Sequence, residues 1–271
     1  MKICVFTRGE KSHSYKYEKA FLSGLESHGH KPTLSHWADY NQDVDLAVVW
    51  GVHHTPLIKH IKDTKKDYLV LERGYIGDRT EYTSCGFNGL NGHADFVNKN
   101  SDDKRIHLFE ELLQPERTER GDYIIIMGQI PYDASVKHIG FNYWLDNTYK
   151  MLKAITDRRI YYRPHPLYEN PYIPEGMQVI HGDLHHVIHR AHCIITLNSN
   201  TGVDSILAGV PTISMDKGSM VYNITPHDLS ALFSLKLNDR TQWFNDMSYT
   251  QWGLKDMASG ATWEHLKKYY K

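Results

Sequence analysis

The stretch from Cys193 to Ile213, CIITLNSNTGVDSILAGVPTI, reads as four pieces in a fixed order. Cys193 to Leu197 is a short apolar, β-rich run, and Asn198 to Asn200 is a turn of small amide and hydroxyl residues. Thr201 to Leu207 carries a helical pattern, and after Gly209 and Pro211 a second β-rich run begins at Thr212 and reaches Met215. Buried strand, turn, helix and next strand is the repeating unit of a parallel sheet covered by helices. In such a unit the turn leaves the first N–H groups of the helix unpaired and aims the helix's positive end outward from the carboxyl edge of the sheet. A phosphate suits that position: Asn198, Ser199 and Thr201 add side-chain donors, and Gly202 lets a ligand approach the backbone. A plainer reading also stands, in which Ser199 or Asn200 only caps the helix.

The same rhythm continues outward on both sides. Strands are expected at Tyr123 to Met127 and Ile160 to Tyr162, with helices at about 142–155 and Asp183 to Arg190, which makes a second doubly wound sheet. Near the start, residues 2–7 (KICVFT) form a strand, and Tyr17, Phe21 and Leu25 recur at helical spacing. Leu46 to Trp50 and Tyr68 to Leu71 read as further strands, separated by a basic helical segment with Lys59, Lys62, Lys65 and Lys66. Glu72 to Phe96 contains five glycines and several Asn, Asp and Ser residues and is expected to be largely loop. A charged helix is expected at about 103–113. The polar run Gln114 to Gly121 serves as the inter-lobe linker, giving an N-terminal lobe at 1–118 and a C-terminal lobe at 119–271. The last helices, with Trp243, Trp252 and Trp263, pack back on the body.

Composition narrows the function classes. In 271 residues, 31 Lys and Arg nearly cancel 32 Asp and Glu, so there is no global positive field of the kind that announces a nucleic-acid binder. The cysteines Cys4, Cys85 and Cys193 are an odd number, widely spaced and in no CxxC pair, which excludes a disulfide framework or zinc ribbon and fits a reducing cytoplasm. The opening MKICVFTRG is too short in its apolar run for a signal peptide, and no stretch approaches the ~18 apolar residues of a membrane span.

Two more strings carry chemistry. In Arg163-Pro-His165-Pro, two prolines stiffen the loop after a strand, so the guanidinium and imidazole are presented as a pair suited to a diphosphate or phosphodiester. A surface turn has similar prolines. In Met127-Gly-Gln129-Ile-Pro-Tyr-Asp133-Ala-Ser135, Asp133 sits after a strand end. There it acts either as a general base on an acceptor hydroxyl or as a nucleophile toward an anomeric carbon. Gln129 orients that carboxylate or the sugar. An Asp-Ala-Ser helix start accounts for the same letters.

At these three motifs the sequence resembles the bacterial capsular polysaccharide glycosyltransferases related to Kdo transferases, over roughly residues 124–215. The resemblance implies an α/β fold of the GT-B kind, two Rossmann-like doubly wound lobes facing a cleft, working with a nucleotide sugar (UDP- or CMP-linked) and without a bound cation. It assigns His165, Ser199 and Thr201 to the donor phosphate and Asp133 to the sugar, and it places the acceptor on the N-terminal lobe.

That lobe departs from the capsule enzymes. Its loop, of the form ERGYIGDR followed by FNGLNG, is similar to phage-encoded glycosyltransferase-like proteins, and this implies sugar transfer to 5-hydroxymethylated pyrimidines of double-stranded DNA in the host cytoplasm. A surface or capsular saccharide acceptor and a non-catalytic nucleotide-sugar-binding protein are the alternatives. Acceptor-side candidates are Arg8 and the charged set Glu72, Arg73, Asp78 and Arg79, which either grips an acceptor or pairs internally to hold the loop shut. Lys59 to Lys66 reads as a DNA-phosphate contact or as a solvated helix face. His181, His185 and His189 share helical spacing, but without a carboxylate cluster or thiol pair they read as surface histidines, and no metal site is assigned.

Overall fold

The computed structural model describes residues 1–270. The chain begins with β1 (Ile3–Thr7), α1 (Tyr15–Ser27), β2 (Thr33–His36), β3 (Leu46–Trp50), α2 (Thr55–Asp63), β4 (Asp67–Arg73) and β5 (Tyr82–Phe87). It continues with β6 (Tyr123–Met127), α3 (Phe141–Ile155), β7 (Arg159–Arg163), β8 (Gln178–Val179), α4 (Leu184–His189), β9 (Ala191–Thr196), α5 (Thr201–Leu207) and β10 (Thr212–Ser214). It closes with α6 (Thr241–Ser248), β11 (Gln251–Gly253), α7 (Leu254–Ser259) and α8 (Ala261–Leu266). Two compact units result, Met1–Leu108 with Gln242–Lys271, and Phe109–Thr241.

In the first unit the strand order is β11-β5-β4-β3-β1-β2. β1 pairs in parallel with β2 and β3, and β3 with β4, while β5 and β11 run antiparallel at the other edge. The apolar runs ICVFT and LAVVW are buried on both faces, as parallel strands between helices must be. Alternate residues divide between two cores. Val5, Val48 and Leu69 meet Phe21 and Leu25 of α1, whereas Cys4, Ala47 and Val70 meet Leu57 and Ile61 of α2.

Several segments differ from expectation. Glu72 to Phe96 is largely loop and turn, as expected, but it also contains β5, which pairs with β4 in a register that sets Cys85 opposite Leu71. Its buried side chains include Thr83 and Ser84, so a strand of small polar residues hides from a hydrophobic pattern. The preceding loop is pinned by Gln251, whose Oε1 accepts from the N–H groups of Tyr75 (2.7 Å) and Ile76 (3.0 Å) and whose Nε2 donates to the Ile76 carbonyl (2.7 Å). The charged stretch at 103–113 forms two short 3-10 turns, Ile106–Leu108 and Glu110–Leu112, interrupted where the buried ring of Phe109 forces an extended φ of −141°. β2, an exposed polar edge strand, and the two-residue β8 carry no periodicity to read.

The division of the chain also differs from 1–118 and 119–271. The last segment belongs with the first unit, since β11 extends its sheet and Met257, Trp263 and Leu266 lie in the core of α1. Arg105 ties the two ends of this unit. Its Nε and Nη2 donate to the carbonyls of Ser248 (3.0 Å) and Gln251 (3.1 Å), and its guanidinium lies 3.9 Å from the Trp252 ring.

The second unit is a parallel sheet of order β10-β9-β6-β7-β8. Ile124 and Ile126 of β6 face Phe141, Leu145 and Leu152 of α3, while Ile125 and Met127 face Val187 and Ile188 of α4. This is the expected doubly wound arrangement. Among the described residues no helix is long and apolar enough to cross a membrane.

Candidate functional site

Doubly wound sheets hold ligands beyond the carboxyl ends of their strands. In the second unit β9, β6 and β7 are neighbours, so the three motifs read from the sequence emerge side by side: Asn198 to Thr201 after β9, Gln129 and Asp133 after β6, and Arg163 with His165 at the end of β7. Gly128 permits this. A Cβ there would lie 2.8 Å from the Arg163 carbonyl oxygen and 2.9 Å from the His165 nitrogen, and the Gly128 N–H itself donates to that carbonyl at 2.8 Å. Any larger residue would force the Asp133 loop away from the Arg-Pro-His loop. Tyr162, whose phenol is pushed up to about 12 by burial, backs the same spot.

A buried polar network welds the strand ends together. The Gln129 Nε2 donates to Asn198 Oδ1 (2.8 Å), and the Asn198 backbone N–H donates back to Gln129 Oε1 (3.2 Å). The Asn198 Nδ2 donates to the Ser135 carbonyl (2.8 Å) and to Asp216 Oδ1 (2.7 Å). Asp216, just past β10, also accepts from the Gly218 N–H (2.9 Å). Gln129 and Asn198 are only 7% and 5% exposed, so both act below the surface as positioning groups. Asp216 was absent from the sequence reading, although the strand-end rule that singled out Asn198 applies equally to it.

Asp133 is half-buried. Its Oδ1 accepts from the backbone N–H and the hydroxyl of Ser135, both at 2.9 Å, so one carboxylate oxygen is held in an Asp-Ala-Ser turn. The letters also allowed a helix start, but residues 131–139 form turns and the next helix, α3, begins only at Phe141; the turn orients the carboxylate. The network therefore fixes Asp133 at one remove: Asn198 grips the Ser135 carbonyl while Ser135 grips Asp133.

Arg163 is half-buried, and among the described residues its guanidinium has no hydrogen-bond or ion-pair partner. The His165 Nδ1 accepts from the Leu167 N–H at 3.2 Å, which in the neutral ring assigns the hydrogen to Nε2 and makes that nitrogen a donor. Two cationic or donor groups on one stiff loop suit an anion. Beside them Tyr132, 72% exposed, meets Tyr168 edge-on with centroids 6.1 Å apart. This exposed aromatic pair next to Asp133 and His165 carried no signal in the sequence.

The turn before α5 differs from expectation in detail. Its leading N–H groups are occupied internally: Ser199 N–H donates to Thr196 Oγ1 (3.0 Å), Thr201 N–H to Ser199 Oγ (3.3 Å), and Gly202 N–H to the Ser199 carbonyl (3.0 Å). What the turn presents is hydroxyls, with Thr201 Oγ1 bonded to Ser199 Oγ at 3.0 Å. Gly202 does not open the backbone to a ligand. It is buried, and a Cβ on it would meet Val221 and Thr196 at 3.1 and 3.3 Å.

In the first unit the charged set Glu72, Arg73, Asp78 and Arg79 forms no ion pair among the described residues. Three of the four instead secure backbone: Glu72 Oε1 accepts from the Arg73 N–H (2.9 Å), Asp78 Oδ1 from the N–H and hydroxyl of Thr80 (both 2.7 Å), and the Arg79 Nε donates to the Gly74 carbonyl (2.7 Å). Arg8 is exposed and lies 4.3 Å above the Trp37 ring. The helix α2 ends at Asp63, before Lys65 and Lys66, and the basic run is partly neutralised, with Lys59 paired to Asp63 (2.6 Å) and Lys66 to Asp45 (3.4 Å). His181 precedes α4 rather than joining its face, because Asp183 caps the helix through the His186 N–H (3.0 Å).

With this geometry established, comparison of folds is informative. No family model matches the sequence, and no curated protein does. Among solved structures, Thermosulfurimonas dismutans KpsC, beta Kdo 2,7 transferase, aligns over 100% of this chain and 100% of its own, at 15% identity and a TM-score of 0.58. Thermosulfurimonas dismutans KpsC, beta Kdo 2,4 transferase, aligns over 92% of this chain and 90% of its own, at 14% identity and a TM-score of 0.62. The chain has the fold of these Kdo transferases. The expected GT-B-like architecture of two Rossmann-type α/β units is therefore present.

Proposed function

We propose that the chain is a glycosyltransferase that moves a sugar from a nucleotide donor to a hydroxyl acceptor, with the donor held by the second unit. The observation that carries this reading is the convergence of Arg163, His165, Ser199 and Thr201 with Asp133 on adjacent strand ends, interlocked by Asn198. Arg163 and the Nε2–H of His165 bind the donor's phosphates and stabilise charge on the leaving group, and the Ser199 and Thr201 hydroxyls add neutral donors. Asp133 supplies the carboxylate that acts at the sugar, and Gln129 with Asn198 keeps it in place. Tyr132 and Tyr168 offer a ring surface beside it. The donor is a CMP- or UDP-sugar.

A saccharide acceptor, as in the Kdo transferases that share the fold, is favoured over hydroxymethylated DNA. The basic run from Lys59 to Lys66 spends two of its lysines on Asp63 and Asp45, and the whole chain carries a net charge of −1, which leaves little to neutralise phosphates.

The test is a thermal-shift screen of CMP- and UDP-sugars, in which a donor at ~100 times its dissociation constant adds ~2.7 kcal/mol of stability. With that donor, His165→Ala and Arg163→Ala should weaken binding, whereas Asp133→Ala should bind it normally and transfer nothing. Normal donor affinity in both cationic-site variants removes them from the phosphate site, and full turnover by Asp133→Ala removes the carboxylate from the chemistry. Sugar incorporation into hydroxymethylated duplex DNA but not into oligosaccharides would reverse the choice of acceptor.

A further inference from the structure

The first unit has a strand-end site of its own. Because β2 and β3 flank β1, the chain leaves β1 in opposite directions on its two sides, and such a switch point opens a crevice beyond the strands. Here Thr7 and Arg8 follow β1, Trp50 ends β3, Trp37 follows β2, His54 caps α2 and Glu18 reaches in from α1. Together they enclose a cavity of about 20 Å³. That volume admits one water or one hydroxyl group.

Glu18 is the unusual member. It is 1% exposed, and neither carboxylate oxygen has a hydrogen-bond partner. The hydroxyls of Thr7 and Ser14 are the donors nearest to it, and Ser14 Oγ is engaged with Ser12 Oγ at 2.7 Å. Burial raises the Glu18 carboxyl above its usual range, opposed by those hydroxyls and by the charges of Arg8 and His13. Buried acceptors without donors are costly, so a site that keeps one is built to receive a donor from outside. The walls are aromatic: Trp50 stacks on Tyr17 with centroids 5.1 Å apart, and Trp37 lies 4.6 Å from His54 with the exposed Arg8 above it.

We propose that this pocket is a hydroxyl-recognition subsite for a saccharide. One ring hydroxyl inserts into the cavity and donates to the Glu18 carboxylate, and the sugar ring rests against Trp37 in the place of the Arg8 side chain, which is free to bond a ring substituent. Naming the saccharide as the transfer acceptor rests on the function proposed above. The binding itself does not.

The experiment titrates wild-type protein, without any donor, with methyl pyranosides of glucose, galactose, mannose and N-acetylglucosamine and with their monodeoxy analogues, followed by tryptophan fluorescence. At least one glycoside should quench saturably, Glu18→Gln and Trp37→Ala should each weaken it tenfold or more, and the analogue lacking the inserted hydroxyl should bind at least 100-fold more weakly. No binding of any glycoside by the wild type, or undiminished binding in Glu18→Gln, overturns the subsite. If Glu18→Gln fails to fold by circular dichroism, undiminished binding in Trp37→Ala overturns it instead. Saccharide binding in a protein that transfers nothing would sink the glycosyltransferase reading and leave the subsite standing. Transfer with an unchanged acceptor KM in Glu18→Gln would do the reverse.

Discussion

Gln129 and Asn198 should behave energetically as one group. Each is nearly fully buried, and they exchange two hydrogen bonds, of 2.8 and 3.2 Å. Gln129→Ala strands the Asn198 Oδ1 and backbone N–H, while Asn198→Ala strands the Gln129 Nε2 and withdraws the donor from the Ser135 carbonyl and Asp216. An unpaired buried polar group costs ~1–3 kcal/mol, so each single variant should destabilise the second unit by about 3 kcal/mol. The double variant removes the Asn198 Oδ1 and the Gln129 Nε2 that the single variants leave unpaired. It should therefore cost about 1–2 kcal/mol less than the sum. Urea titration read by hydrogen exchange in β6 and β9 peptides measures this unit alone. The Asn198 variant should also speed exchange of the Val136 and Lys137 amides, which donate to the Asp133 carbonyl at 3.1 and 2.9 Å. Additivity within ~0.5 kcal/mol would refute the reciprocal lock, and unchanged exchange at those two amides would refute its transmission to the Asp133 turn.

Three further outcomes follow from the packing. Gly128→Ala puts a methyl group 2.8 Å from the Arg163 carbonyl oxygen, so it should destabilise the second unit by about 1–3 kcal/mol and weaken donor binding together, checked by urea midpoint and donor titration. Arg105→Met should cost the first unit about 3 kcal/mol, since two backbone carbonyls lose a charged donor and the Trp252 ring loses its cation, and a urea titration read by exchange in β5 would detect it. Stability should fall as pH drops below about 6.5, the ordinary histidine value. His30 and His265 are held below it by burial, and His30 Nε2 must be unprotonated to accept from the Trp263 indole at 2.9 Å. Their folded-state values lie lower than the unfolded ones, so the unfolded chain binds more protons in that window and stability is intact above it. His30→Gln should flatten the slope of unfolding free energy against pH between 7 and 5.

The second unit was legible because its signals are local. β6, β7, β9 and β10 are short apolar runs, each followed within a few residues by a breaker, and the helix from Thr201 to Leu207 sits where the letters put it. The motifs were legible for the same reason: a strand end announces its own loop. What the letters could not state is which strand ends are neighbours. The order β10-β9-β6-β7 brings Asn198 to Gln129, 69 residues away, and sets Asp216, itself just past a strand end, beside Asn198. The expected open helix start at α5 failed on a related point, since Ser199 is small and polar enough to satisfy the turn's own amides as well as a ligand.

The first unit was harder to read because its sheet is completed from the far end of the sequence. Reading by adjacency assigns the last helices to the lobe they follow. Yet β11 pairs with β5, and the Gln251 side chain satisfies the Tyr75 and Ile76 amides across 176 and 175 residues. Without that amide, the glycine-flanked loop from Gly74 would carry two buried N–H groups with no partner, which a folded chain avoids. The clue in the sequence was therefore not the loop's glycines, which pointed only to loop, but the apolar pair Tyr75-Ile76 inside it. Residues that are 4% and 1% exposed must be buried against something; Asn91 and Phe96 meet the Tyr75 ring, but the partner of the two backbone amides comes from Gln251. The same reasoning applies to Glu18: a polar group placed where local structure leaves it unsatisfied is evidence of a partner, and neither Glu18 carboxylate oxygen is hydrogen-bonded within the chain, although the Thr7 and Ser14 hydroxyls lie near.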